Sequence, residues 1–332
     1  MTLIEVAKYA KVSTATVSRV LNKTGPVKKS TRTRVLKAIQ DLKYHPNVHA
    51  QRLAGSAKRT LGMVVSNLEN PFFVDIFRTL ESDAQRHGYE VIVANTDYQV
   101  SRLQSSIQLM IGHRPAGLAV IVSEIEPSLV QHLTEIDLPI VFYDGITSGR
   151  HITNIKVNYQ KGIQNVVEYL YSLGHRRMTF IGHHTGLMPL LDRKKAFVDT
   201  IKSYKHVEFS VIADRDGPSG GRQAARHLLA SGFKPTAIIC VNDFMALGVV
   251  RELRTQGLSV PGDISVTGYD NIGLSDFACP SLTTLNIPRE KIGHLAFEAL
   301  VPKSEGSSIR GLELQIEPDL IIRESTGPAK KA

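Results

Sequence analysis

From Leu61 onward, short apolar runs alternate with amphipathic stretches of helical length, and this rhythm restricts the chain to layered α/β folds. Leu61-Gly62-Met63-Val64-Val65 reads as a buried strand, and Pro71 stands where the next helix should open. A helix over 72–87 precedes a strand over 90–94; 103–111 is helical, and 118–122 and 140–143 are strands. A second set starts near Tyr159: helices over 163–173, 193–203, 221–230 and 244–256 are interspersed with strands over 178–181, 237–241 and 264–267. The pattern predicts parallel βαβ units in two lobes. An extended 283–287, a helix over 290–300 and an extended 312–322 add one more unit of that size.

The first fifty-five residues follow a different rule. Thr2 and Glu5 match a capping box, so a helix can start at Leu3 and bury Ile4, Val6, Ala7 and Ala10. Lys11-Val12 turns the chain, Ser13 can cap a second helix, and Val17, Val20 and Leu21 pack on the first. The opposite face carries Thr14, Ala15, Thr16, Ser18, Arg19 and Asn22, a set suited to a major groove roughly 12 Å wide. A third helix from Thr31 offers Val35, Leu36, Ile39 and Leu42 as one stripe and ends at Tyr44-His45-Pro46.

Two short amphipathic helices are commonly only part of a core, and charge separates the readings. Residues 1–60 hold 13 Lys and Arg against 2 acids, whereas the remaining 272 residues hold 27 against 29. The basicity belongs to this one segment, an electrostatic footprint for phosphates, with Lys28, Arg32 and Arg34 as backbone contacts. A solvated basic face without a partner is the alternative. Beyond it, Pro46 to Gly55 can form two turns of helix, capped by Asn47 and stopped by Gly55. Isolated helices shorter than roughly 12–15 residues are marginal in water, so this one needs a surface to fold against. Asn47, Leu53 and Ala54 suit a minor groove, with Leu53 as a wedge between base steps; docking a linker onto the next domain is the alternative for Leu53.

Thr16-Val17-Ser18-Arg19-Val20-Leu21-Asn22, Tyr44-His45-Pro46-Asn47 and Ala50-Gln51-Arg52-Leu53-Ala54-Gly55 together resemble the lactose-repressor (LacI/GalR) family of bacterial transcription regulators. Downstream, Asn242-Asp243-Phe244-Met245-Ala246-Leu247-Gly248, Val260-Pro261-Gly262-Asp263-Ile264-Ser265-Val266 and Gly268-Tyr269-Asp270-Asn271 resemble its effector-binding domain, so the likeness runs from Thr2 to Ser325. The resemblance implies a helix-turn-helix domain over 1–46, a hinge helix and linker over 47–59, and a two-lobed, periplasmic-binding-protein-like α/β domain with mostly parallel sheets over 60–326. Lobe 1 is then expected over 60–157 and 288–311, and lobe 2 over 158–287 and 312–326, with three crossings between them. It also implies a near-palindromic double-stranded operator as partner and a small-molecule effector. A homodimer is expected, because the polar, Pro-containing tail after Ser325 carries no heptad helix.

Ligands of open α/β sheets bind beyond the carboxyl ends of strands. Asn67, Phe72, Phe73, Asp144, His183, Asn242 and Asp270 fall there, and Arg193 opens a helix in Arg193-Lys194-Lys195-Ala196-Phe197 that resembles the family's effector-contacting segment. Asp144 could equally be a turn residue, Asp243 only a helix cap, and Phe72 and Phe73 core. Some sugar-binding members place a stacking tryptophan at a position that falls at Asp216, where no aromatic is available. A sugar or sugar derivative is the first expectation for the effector; a purine, nucleoside or sugar acid is the alternative, the last leaning on Arg193 through a bidentate pair.

Other classes are disfavoured. The chain has no Walker loop, no Gly-x-Gly-x-x-Gly after the first strand, no Gly-x-Ser-x-Gly and no His-Glu-x-x-His, so neither an enzyme nor a cofactor is expected. A transport solute-binding protein would share the lobes but not the basic unit, and would need an export signal. No such leader and no membrane-spanning run is read, so a cytoplasmic protein is expected. Cys240 and Cys279 lack metal-ligand spacing and are expected as buried thiols, and adjacent His183-His184 would point opposite ways on extended backbone, a poor metal pair.

Overall fold

The computed structural model describes residues 1–22, 25–44, 60–145, 149–183, 188–301 and 311–330. The chain divides into two compact units, Met1–Lys58 and Arg59–Ala332. The hinge-helix expectation, with Asn47, Leu53 and Ala54, lies outside the described residues.

The first unit is a three-helix cluster. Helix α1 (Leu3–Tyr9) opens with the expected box: Thr2 Oγ1 accepts from Glu5 N–H, and the Glu5 carboxylate accepts from Thr2 N–H at 2.7 Å. Lys11 adopts φ +52 in the turn, and Ser13 Oγ then accepts from Thr16 N–H at 3.2 Å at the head of α2 (Thr14–Asn22). Helix α3 (Lys29–Asp41) closes the unit, tied to α1 by Tyr9 Oη donating to Asp41. Val6, Ala7, Ala10, Val17, Val20, Val35, Ala38 and Tyr44 form the core. Two expected core residues are corrected: Ile4 is 58% and Leu36 52% exposed. Each helical step turns about 100°, so Ile4 lies nearly opposite Val6, and Leu36 is rotated off the stripe that begins at Val35.

The second unit is doubly layered. Strands β1 (Thr60–Val65), β2 (Glu90–Asn95), β3 (Gly117–Ile121), β4 (Ile140–Tyr143), β5 (Ile152–Val157) and a late strand (Glu313–Ile316) make one parallel sheet in the order late strand-β5-β4-β3-β1-β2. It is flanked by α4 (Pro71–Arg86), α5 (Val100–Gly112), α6 (Pro127–Thr134) and a late helix (Arg289–Leu300). Asn70 caps α4, its Oδ1 accepting from Phe72 N–H at 3.1 Å, and Pro71 sits in its first turn. After α7 (Tyr159–Ser172), a second parallel sheet runs β7-β6-β8-β9, formed by β6 (Arg177–His183), β7 (Glu208–Asp214), β8 (Ala237–Cys240) and β9 (Ser265–Thr267). Helices α8 (Met188–Ile201), α9 (Gly217–Ala230) and α10 (Asp243–Thr255) accompany it. Helices α9 and α10 touch backbone to backbone: a Cβ on Gly248 would stand 2.0 Å from the Pro218 carbonyl oxygen, so only glycine fits.

After β9 comes the short α11 (Gly273–Phe277), and β10 (Thr284–Asn286) pairs antiparallel with Asp319–Ile321. In chain order the late elements are α12 (Arg289–Leu300), β11 (Glu313–Ile316) and β12 (Asp319–Ile321). The expected lobe boundary at 312 is corrected: β11 pairs with β5, Glu313 opposite Asn154, and completes the first sheet. Only the tail beyond β12 returns to the second lobe, where Ser325 Oγ donates to the Val266 carbonyl at 2.6 Å. Cys279 is exposed, not buried, because it follows α11 on the surface beside Phe277; Cys240 is buried, and burial pushes its thiol up. Among the described residues no helix is long and apolar enough to cross a membrane.

Candidate functional site

On the first unit, α2 presents Thr14, Ala15 and Arg19 to solvent, with Thr16 and Ser18 half-buried on its flanks. The Asn22 side chain lies outside the described residues. Val12, Ser13, Thr16 and Arg19 line a shallow groove of about 330 Å³ with Pro26, Val27, Lys28 and Thr31, so the start of α3 borders the exposed face of α2. Lys28, the N-cap of α3, precedes Arg32 by four residues, whereas Arg34 is two residues further and faces away from Arg32. A recognition face with a basic shoulder results, open to a polyanion on one side.

On the second unit, the carboxyl ends of the strands gather the remaining residues. Arg193 is the sixth residue of α8 rather than its first, which sinks it to 7% exposure. Its guanidinium lies 4.6 Å from both the Tyr159 and the Tyr269 ring centroids. One terminal nitrogen donates to the Val241 carbonyl at 3.0 Å and the other to Tyr159 Oη at 3.2 Å. Nε has no partner among the described residues and each terminal nitrogen keeps a second N–H, so the guanidinium retains donors for a ligand. Asp270, at φ +104 and 3% exposed, leaves Oδ1 without a partner. Burial, which outweighs the nearby Arg193, holds its carboxyl well above the ordinary range. The hydroxyls of Tyr143 and Tyr269 are likewise buried and unpartnered among the described residues.

Asp144 (φ +53) accepts from Val157 N–H at 2.9 Å and from the Tyr159 hydroxyl, so its carboxylate binds the end of β4 to the start of α7. Burial pushes it up to about 6. Phe72 meets Tyr143 with ring centroids 5.6 Å apart and Phe73 at 5.2 Å, which joins both phenylalanines to the core while Phe72 borders the cleft. Asn242, not Asp243, caps α10: its Oδ1 accepts from Met245 N–H at 2.7 Å, and its amide donates to Asp216 at 2.8 Å. Asp243 is fully buried and accepts from Ile272 N–H, Ser275 Oγ and Thr284 Oγ1, at 2.9, 2.6 and 2.5 Å. It clamps the loop after β9 to the crossing strand β10. Gly268 must be glycine for this, since a Cβ there would fall 1.9 Å from Asp243 Oδ1.

Asn67 reaches Asp216 only at 3.5 Å, the limit of a hydrogen bond. His183 is buried at the end of β6, its ring 4.9 Å from that of Tyr98 and tilted by 55° to it. Tyr98 was not among the sequence candidates. Its signal was weak, because it lies in a turn after an unremarkable strand and reaches Asp216 from the other lobe. Among the described residues no group of His, Cys, Asp or Glu could hold a metal ion.

A basic helix-turn-helix unit followed by a two-lobed cleft of this kind defines a ligand-responsive DNA-binding regulator. Two family models match, the bacterial regulatory proteins of the lacI family over residues 2–47 and a periplasmic binding protein-like domain over 167–326. The HTH-type transcriptional repressor PurR of Pasteurella multocida is 33% identical over 334 residues, covering 98% of each chain, and that of Photobacterium profundum is 32% identical over 327. The lac repressor dimer bound to operator and the anti-inducer ONPF superposes with a TM-score of 0.81 at 27% identity, over 98% of this chain and 99% of that one. The chain belongs to the LacI family: it is a DNA-binding transcriptional repressor with a ligand-binding domain, and not an enzyme.

Proposed function

We propose that this repressor binds a near-palindromic operator as a cytoplasmic homodimer and that a small uncharged polar ring compound in the cleft sets its operator affinity. The observation that carries the ligand reading is the set of buried atoms without a partner among the described residues: Arg193 Nε, Asp270 Oδ1, Tyr143 Oη and Tyr269 Oη. An unmade hydrogen bond in a buried site costs about 1–3 kcal/mol, so a ligand that supplies the missing partners binds there selectively. Arg193 Nε offers a donor and Asp270, whose carboxyl burial holds well above the ordinary range, a hydrogen-bonding partner to a neutral polar ligand. A sugar or sugar derivative meets these terms through its hydroxyls. A purine base or nucleoside is the second reading, favoured by the Phe72 and Tyr143 rings beside the same atoms.

On DNA, Thr14, Ala15, Thr16, Ser18 and Arg19 read base edges and Lys28 and Arg32 take phosphates, while Arg34 reaches only a phosphate off the main line. The exposed Leu274 and Phe277 offer an apolar surface for the second copy. A thermal-shift screen over neutral sugars, purines and sugar acids identifies the ligand class. Calorimetry should then show that Arg193→Ala and Asp270→Asn lose ligand affinity yet keep operator affinity. Unchanged ligand affinity in both variants would move the site elsewhere. Arg19→Ala should weaken operator binding by about 1–3 kcal/mol and relax the choice of base it faces.

A further inference from the structure

The chain turns sharply after β2. Asp97 (φ +51) and Tyr98 (φ +58) are consecutive left-handed residues, a conformation that glycine favours and a bulky tyrosine resists. The turn is fixed from several sides. Asn95 Nδ2 donates to Asp97 at 2.7 Å, and Arg102 pairs with the same carboxylate. Thr96 N–H donates to the Val65 carbonyl at 3.0 Å, and the Thr96 hydroxyl donates to the fully buried Glu124, which also accepts from Ser66 Oγ at 2.6 Å. The Tyr98 ring reaches lobe 2, where it meets the His183 ring at a tilt of 55°, and its hydroxyl donates to Asp216 Oδ2 at 2.7 Å. Burial, backed by the Asp216 charge, holds the phenol well above its usual range, so it can only act as the donor. Asp216 Oδ1 is held in place from its own lobe by Asn242.

We infer that Tyr98 is a latch: the strained turn after β2 presents its hydroxyl to Asp216, and this bond, made without any ligand, helps to set how far the two lobes close. The residue acts by positioning the lobes around the effector, and it supplies the aromatic wall that lobe 2 lacks at Asp216. The latch needs no ligand to form, so its effect is separable from the ligand reading above.

The test is the inter-lobe distance by pulsed electron resonance, in full-length dialysed protein without DNA or added small molecules. Spin labels are placed at the exposed positions Gln104 of lobe 1 and Ala230 of lobe 2, in a Cys279→Ser background. Wild type, diluted with excess unlabelled protein so that only pairs within one protomer are read, should give one narrow distribution. Tyr98→Phe, which keeps the ring and removes only the hydroxyl, should shift it to longer distance and broaden it, with the thermal midpoint nearly unchanged. Asp216→Asn should do the same, and the double variant should open no further than the larger single effect. Distributions identical in wild type and both single variants, or fully additive shifts in the double, would overturn the latch.

Discussion

The recognition face of α2 and the effector cleft are both polar, yet they are built on opposite terms. Thr14, Ala15 and Arg19 are exposed on the surface of α2. Arg193, Asn242, Asp243 and Asp270 are buried, and every one except Asp270 is already bonded to several neighbours. The difference teaches where a change will be felt. A substitution on the face should alter affinity for DNA and little else, whereas one in the cleft should propagate through its hydrogen-bonded set into stability.

The sharpest way to break this comparison is Gly268→Ala. The new methyl would press on Asp243 and on Leu282, and the effector unit should lose about 3 kcal/mol, read by calorimetric unfolding. An unaltered melt would mean the Asp243 cluster is loose, and the contrast would fail.

A smaller effect sharpens it through pH. Burial raises the Asp243 carboxyl from 3.8 to about 6 in spite of its three hydrogen bonds. Because the folded value exceeds the unfolded one, the stabilisation is complete at low pH and is lost as pH rises through about 6. The stability of wild type minus that of Asp243→Asn should therefore fall by about 2 kcal/mol between about pH 4 and pH 7 in urea titrations. A rising difference would show a carboxylate that prefers its charge.

Thr2→Ala tests the other side. Losing the capping box should cost the DNA-binding unit about 1 kcal/mol and leave the effector unit's transition in place. Least of all, Lys28→Ala should leave both transitions alone and lower the slope of log operator affinity against log salt by about 0.9, the share of one phosphate. A change confined to one operator sequence would make Lys28 a base reader instead.

The same contrast explains what the sequence disclosed. Helices α1 to α3, their caps and the exposed face of α2 were legible because period, capping residues and charge are local signals. In the effector unit, strands such as β1 and β8 and helices such as α4 and α10 were legible for the same reason. Strand β7 was not, because Glu208–Asp214 pairs with β6 alone, leaves most of its residues half-buried and so mixes polar and apolar side chains. Arg193, Asp270 and Asn242 were reachable by their places after strands and by family likeness. Their partners were not: the Asp243 clamp joins residues forty-one positions apart, and the Tyr98 bond to Asp216 spans 118. No window along the chain contains such pairs. Ile4, Leu36 and Cys279 failed for a plainer reason, since hydrophobicity alone does not say which side of a helix or loop faces the core.

The return of β11 to the first sheet has a consequence for synthesis. The four strands of the second sheet have all been made by Thr267, but the edge strand beside β5 begins only at Glu313. At roughly 5–20 residues per second, the ribosome needs a few seconds to cover that interval. During it, the older sheet carries an open edge at β5, and the helix that covers one of its faces is still arriving. The sheet that was begun first is finished last, and a nascent chain stalled in this stretch would expose a strand edge to any neighbouring polypeptide.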